Sequence, residues 1–163
     1  MSDLKLEPRG DREIVATRTF NAPRDLVFDA FTKPELVKRW MLGSEGWSMP
    51  VCTIDFRVGG KGRYEWKSPD GSYGMALSAE FLEIVPPERI VHREKFEGTP
   101  TPVESTITST FVENGGRTTL TMVIRYVTPE VRDFMLKSGM EQGMALSYQR
   151  LEEMLVTRSI ASE

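Results

Sequence analysis

His92 is the one histidine of the chain, and Glu94 follows it by two positions. The run Arg89 to Phe96 has strand composition, and a period of two places Ile90, His92, Glu94 and Phe96 on one face. An imidazole that titrates near neutrality beside a carboxylate can act as an acid or base in a pocket. No serine or cysteine nucleophile is visibly paired with it, so the residues favour a sheet histidine that is exposed or hydrogen-bonded. Other strand-like runs hold Glu65, Glu80 and Glu83, with Arg63 and Arg93 among them. Ion pairs across a sheet face are the ordinary use of such residues. One inward acid would orient a polar ligand group or serve as a base, and all four carboxylates stay candidates for that position.

The remaining reactive residue types are sparse. Gly59-Gly60-Lys61-Gly62 has the look of a phosphate loop, but the Gly-x-x-x-x-Gly-Lys-Ser/Thr pattern is absent and no helix follows; it reads as a hairpin turn. Cys52 is the single cysteine, which excludes an internal disulfide and fits a reduced, cytoplasmic setting. It reads as a small hydrophobe on a strand. One histidine and one cysteine leave no ligand spacing for a metal, and no cofactor is expected. The net charge is −3 and the basic residues are scattered, which argues against nucleic acid. No apolar run long enough for a signal peptide or a membrane insertion is present.

The side chains suited to an apolar ligand are more numerous. Trp40, Trp47, Tyr64 and Trp66 would offer rigid surfaces with polar handles. The competing reading makes them core and plugging residues, which Trp66 fits best. Nine methionines are present, including Met75, Met122, Met135, Met140 and Met144. Methionine adapts to irregular apolar shapes and serves both gap-filling and permissive binding. The candidate ligand-binding set is therefore Trp40, Trp47, Tyr64, Trp66, Met75, His92, Met122, Met140 and Met144.

These residues need elements to position them. Strand signals cover 12–20 and then 51–57, 62–67, 72–85, 89–96, 105–113 and 117–126, about seven strands in all. Pro69-Asp70-Gly71 is a turn, and Pro86-Pro87 must stop the strand ending at Val85. Asn21-Ala22-Pro23 and Thr32-Lys33-Pro34 open two short helices after the first strand. Thr128-Pro129-Glu130 starts a long helix, expected from 129 to about 158. Val131, Phe134, Met140, Met144, Ser147, Leu151 and Leu155 form its apolar face, and Glu141, Arg150, Glu152, Glu153 and Arg158 a solvated one. Gly139 and Gly143 imply either a kink near Ser138-Gly139 or close packing. Residues 1–11 read as a flexible N-terminal segment, and Thr99-Pro100-Thr101-Pro102 as a rigid connector. The fold class is α+β within one domain spanning 1–163, because a long helix must cover one face of an antiparallel sheet.

A wider pattern runs through nearly the whole chain: Phe20-Asn21-Ala22-Pro23, Val27-Phe28-Asp29-Ala30-Phe31-Thr32, Lys38-Arg39-Trp40, Asp55-Phe56-Arg57-Val58-Gly59-Gly60, Arg63-Tyr64, Pro69-Asp70-Gly71, Phe96-Glu97-Gly98-Thr99, Met140-Glu141-Gln142-Gly143-Met144 and Leu151-Glu152-Glu153. It resembles the family named after the activator of the heat-shock-protein-90 ATPase, within the START-like, birch-pollen-allergen-like superfamily. The resemblance implies a helix-grip fold, a curved antiparallel sheet wrapped around the C-terminal helix. A single helix covers such a sheet imperfectly, leaving a filled core or an apolar cavity. In similar proteins the cavity mouth lies near the region of Trp40 and Trp47. Family members often carry Trp where this chain has Met144, and the smaller side chain would enlarge the cavity.

The superfamily holds transporters, cyclases and hydrolases, so fold does not fix activity. The expected function is binding of a small hydrophobic or aromatic molecule between sheet and helix, with no catalytic residue assigned. A cyclase- or hydrolase-like enzyme using a cavity acid or base is the alternative. A chaperone partner is a third, but eukaryotic activators carry an additional N-terminal domain for which this chain has no room. A monomer and a homodimer are both compatible with the sequence, an exposed Trp47 favouring the dimer.

Overall fold

In a computed structural model, residues 4–97 and 101–161 are described, so part of the 99–102 connector lies outside them. Eight strands form one antiparallel sheet: β1 Lys5–Arg9, β2 Glu13–Phe20, β3 Ser48–Ile54, β4 Lys61–Lys67, β5 Gly74–Val85, β6 Arg89–Phe96, β7 Val103–Asn114 and β8 Arg117–Tyr126. Their spatial order is β1-β2-β8-β7-β6-β5-β4-β3. Two short helices, α1 Arg24–Thr32 and α2 Pro34–Trp40, join β2 to β3. Two more, α3 Pro129–Leu136 and α4 Met140–Ala161, end the chain. Register shifts between Ser48 and Val51 in β3, and between Phe81 and Glu83 in β5, interrupt the ladder where the sheet bends. The result is the α+β helix-grip arrangement, with α4 on the concave face.

The sheet has one strand more than expected. Lys5–Arg9 pairs with β2 from Lys5 opposite Thr17 to Arg9 opposite Glu13, so this part of the N-terminal segment is an edge strand and not a flexible arm. A buried arginine explains the order. Arg132 on α3 donates through Nη1 to the carbonyls of Gly10 (3.1 Å) and Glu13 (2.9 Å), clamping the β1–β2 turn.

The long helix is also corrected. It breaks at Ser138-Gly139, where Gly139 takes φ +88°, a conformation open chiefly to glycine. Thr128 caps α3 as expected, its hydroxyl accepting from the Val131 N–H at 3.2 Å. The break turns Phe134 out, leaving it 53% exposed instead of on the shared apolar face. The long helix's charged face is not wholly solvated. Glu152 meets the 3%-exposed Arg18 at 3.3 Å and accepts the Asn21 N–H, which ties α4 to the end of β2. Arg158 has no described side chain.

At α1, no side chain of Asn21 or Ala22 caps the helix. Glu113, from the β7–β8 hairpin, accepts the Arg24 N–H at 2.6 Å instead, a distant carboxylate at the positive end of the helix. The convex-face acids behave as ordinary sheet acids: Glu65 pairs with Arg63, Glu80 with Arg93 and Glu83 with Arg89.

Candidate functional site

The sheet register decides which side chains face α4. Ile90, His92, Glu94 and Phe96 lie opposite Ser109, Ile107, Ser105 and Val103 of β7, all on the concave face. On the other side of β6, His92 and Glu94 lie opposite Phe81 and Ala79 of β5. Of the four strand carboxylates, Glu94 is the one turned inward.

His92 Nε2 and Glu94 Oε1 are 2.9 Å apart, and their side chains stay 16% and 20% exposed. The other imidazole nitrogen, Nδ1, is buried without a hydrogen-bond partner. Phe81 packs on the ring, centroid to centroid 6.1 Å. Three phenols surround the pair: Tyr64 from β4, Tyr126 from β8 and Tyr148 from α4. Burial pushes the pKa of each well above its usual value, and the negative charge of Glu94 adds to the rise in all three. Two of the hydroxyls have only soft acceptors. Tyr148 donates to Met122 Sδ at 3.0 Å, and Tyr126 faces Met140 Sδ at 4.0 Å.

The apolar interior divides around this strip. One cluster gathers Phe20, Phe28, Trp40, Phe81, Phe111, Tyr148, Leu151 and Leu155 at the α1–α2 end. A second holds Ile14, Val103, Ile107, Ile124 and Tyr126, with Phe96, Met122 and Met140 packed against it. A third holds Val37, Met49, Tyr64 and Ala79, with Leu77, Trp66 and Cys52 beside it. A small domain ordinarily has one contiguous core. Here the positions between the clusters carry His92, Glu94, Ser105 and Ser109. A side chain built at Gly143 would meet nothing within 4 Å, so close packing does not explain that glycine. Open space borders α4 at Gly143.

The candidate residues separate accordingly. His92 pairs with Glu94, Tyr64 lies within the field of Glu94, Met122 and Met140 meet the Tyr148 and Tyr126 hydroxyls, and Met144 packs from α4 against the first cluster. Trp40 does not join them: it is 1% exposed, its indole N–H donates to the Ala30 carbonyl at 3.0 Å, and Phe31 and Tyr148 pack on it. It is a core residue, and α2 depends on it. Trp66 stacks on Tyr64 and donates to the Met41 carbonyl at 2.7 Å, pinning β4 to the end of α2. Trp47 lies away from the strip, half-buried edge-on to Tyr73. Met75 and Trp66 line a surface hollow of about 240 Å³ with Glu65, Lys67 and Glu97. A second hollow, about 480 Å³, lies between α1 and the β5–β6 turn, with Asp25, Asp29, Lys33 and Phe56 on its walls. Neither hollow lies beneath α4. Burial pushes the Cys52 thiol up to about 11, which keeps it protonated and unreactive.

Sequence reasoning left Glu94 among four carboxylates open for the inward position, and missed Tyr126 and Tyr148. The period-two face shared by Ile90, His92 and Phe96 carried the signal for Glu94. For the tyrosines the signal was their place on the inward face of β8 and on the helix stripe, one residue after Ser147.

This architecture is that of the START-like class, and the comparisons agree. Residues 21–156 match the family described as activator of Hsp90 ATPase homolog 1-like protein, and the chain belongs to that family. A crystal structure of a protein from Rhodobacter sphaeroides superposes with a TM-score of 0.87 at 28% identity, covering 94% of this chain and 98% of that one. A solution structure from Staphylococcus epidermidis gives 0.77 at 29% identity, with 94% of each chain covered. A protein from Nitrosomonas europaea, 23% identical with a TM-score of 0.80, covers 94% of this chain and 99% of its own and shares the fold. No functionally curated protein matches the chain. Among the described residues, no helix is long and apolar enough to cross a membrane.

Proposed function

We propose that the protein binds a small, mostly apolar molecule on the concave face, between the sheet and the first turns of α4. The family generally binds hydrophobic ligands, which supports the reading. One observation carries it: between three apolar clusters stands a polar strip in which His92 Nδ1 is buried without a partner and the nearby Tyr126 and Tyr148 hydroxyls meet only thioethers. Buried polar groups are normally satisfied, so orphaned ones in an apolar setting suit a ligand that completes them. Met122, Met140 and Met144 supply the adaptable wall and His92–Glu94 the fixed polar end. The test is native mass spectrometry of the purified protein, followed by solvent extraction of what it carries. A stoichiometric small apolar molecule is the expected result. Met144→Trp should then weaken its binding while the fold stays intact; unchanged affinity moves the site elsewhere.

The His92–Glu94 pair favours a second reading, as a proton-transfer site in an enzyme. A carboxylate that orients an imidazole is a recurring arrangement of general acid–base catalysis. Hydrolysis of p-nitrophenyl acetate by wild type above the rate of His92→Gln supports it, and equal rates remove it. The chaperone ATPase of the family name has no counterpart in the chemistry of this strip.

A further inference from the structure

We propose that the concave-face pocket selects ligands by charge: it takes an apolar body ending in a neutral group that donates a hydrogen bond, such as a hydroxyl, and rejects carboxylates. This rests on the binding reading above and names the ligand class.

On β2 to β8 the register turns Ile14, Ala16, Arg18 and Phe20 inward, and their partners across the sheet are apolar or neutral apart from His92, Glu94 and Glu113, the last opposite Thr118 and bonded to the Arg24 N–H. Arg18 is held by Glu152 and by the Thr19 carbonyl at the far end of the face. Lys38 and Glu35 act on Cys52 from α2 with opposite sign. Arg150 follows Ser147 by three positions on α4, and its Nη1 is buried without a hydrogen-bond partner. Glu94 is paired with His92, and its field reaches Tyr64, Tyr126 and Tyr148 on three other elements.

The hydrogen-bonding capacity points the same way. A carboxylate only accepts. With Nε2–H donating to Glu94, the neutral imidazole leaves buried Nδ1 as an acceptor too. The strip thus offers the unpartnered Nδ1 and the carboxylate of Glu94 as acceptors. The Tyr126 and Tyr148 hydroxyls, bonded only to thioethers, can turn to donate to the same head group. A hydroxyl gives one proton and accepts others. A carboxylate has no proton to give and meets like charge where water is scarce.

The test uses two probes of equal length, octan-1-ol and octanoate, titrated by isothermal calorimetry at about pH 8 into the full chain. Wild type is expected to bind octan-1-ol at least tenfold more tightly. Glu94→Gln is expected to bring the ratio near one, mainly by tightening octanoate. Octanoate binding as tightly as octan-1-ol to wild type overturns the charge rule, whether or not the variant folds. A ratio unchanged in folded Glu94→Gln overturns the role of Glu94. If neither probe binds wild type, the pocket reading falls, and the charge rule with it.

Discussion

The two ends of the concave face are built from different materials. At the α1–α2 end, rings meet rings edge-on: Phe28 on Phe111 at 5.4 Å, Phe31 on Trp40 at 4.8 Å and Phe20 on Tyr148 at 5.7 Å. Trp40, Phe20, Phe111, Leu151 and Leu155 are sealed from solvent there. Under the first turns of α4, thioethers join the rings: half-buried Met144 packs against the first cluster, Met140 against the second and Met122 against both. The packed end supplies stability through apolar area and shape. The other end gives up part of that packing and keeps polar groups within reach. A fold that holds one end rigid can leave the other free to fit a guest.

The sharpest way to break this comparison is to delete one side chain from each end. Phe111→Ala should cost about 3–5 kcal/mol in urea unfolding, because a sealed ring leaves a cavity its neighbours cannot fill. Met140→Ala should cost about 1 kcal/mol, because its surroundings already give way. Equal costs mean that the α4 end is as tightly packed as the other, and the pocket loses its physical basis.

Polar ties must do more where packing does less. Glu152→Ala removes the carboxylate that faces the guanidinium of Arg18, 3% exposed, and should cost about 3 kcal/mol. Glu152→Gln, which still accepts the Asn21 N–H, should cost less. Arg132→Ala removes the donor to the Gly10 and Glu13 carbonyls and should cost about 1–2 kcal/mol. Its diagnostic readout is hydrogen exchange: the amides of Lys5–Arg9 should lose protection while those of β7 keep theirs. Uniform loss across the sheet means that the β1–β2 turn is not a locally held unit.

What the sequence made legible is local. The Pro86-Pro87 stop, the Thr128 cap and the bounds of β6 and β8 follow from turn and cap chemistry within a few residues. β1 was not legible, because its charged and proline-bearing run gains its place from Arg132, more than a hundred positions away. Nor was the buried side of Glu152, which helical spacing assigns to solvent until β2 brings Arg18 to it. The site stood halfway. Period two placed Glu94 with His92, but only pairing with β5 and β7, and α4 above them, makes that face an interior. Trp40 misled for a related reason: an aromatic at the end of a short helix serves a mouth or a core equally well until its indole N–H finds the Ala30 carbonyl.

The smallest effect separates the two ends by titration. Tyr148 belongs to the packed cluster and Tyr126 to the looser one, and burial first, then Glu94, raises both phenols above the ordinary value. An unfolded phenol ionises near pH 10. With the folded value higher, the stabilising difference is complete below about pH 10 and is lost as pH rises beyond it, because the unfolded chain releases its proton first. At about pH 10.5 each such tyrosine lowers unfolding free energy by about 0.8 kcal/mol relative to pH 8. Tyr148→Phe and Tyr126→Phe should each recover that amount in paired urea titrations at the two pH values. Recovery in Tyr148→Phe alone would mean that the Tyr126 phenolate is solvated in the folded state. The α4 end would then be open to water as well as loosely packed, and its pocket would be a groove with a wet mouth.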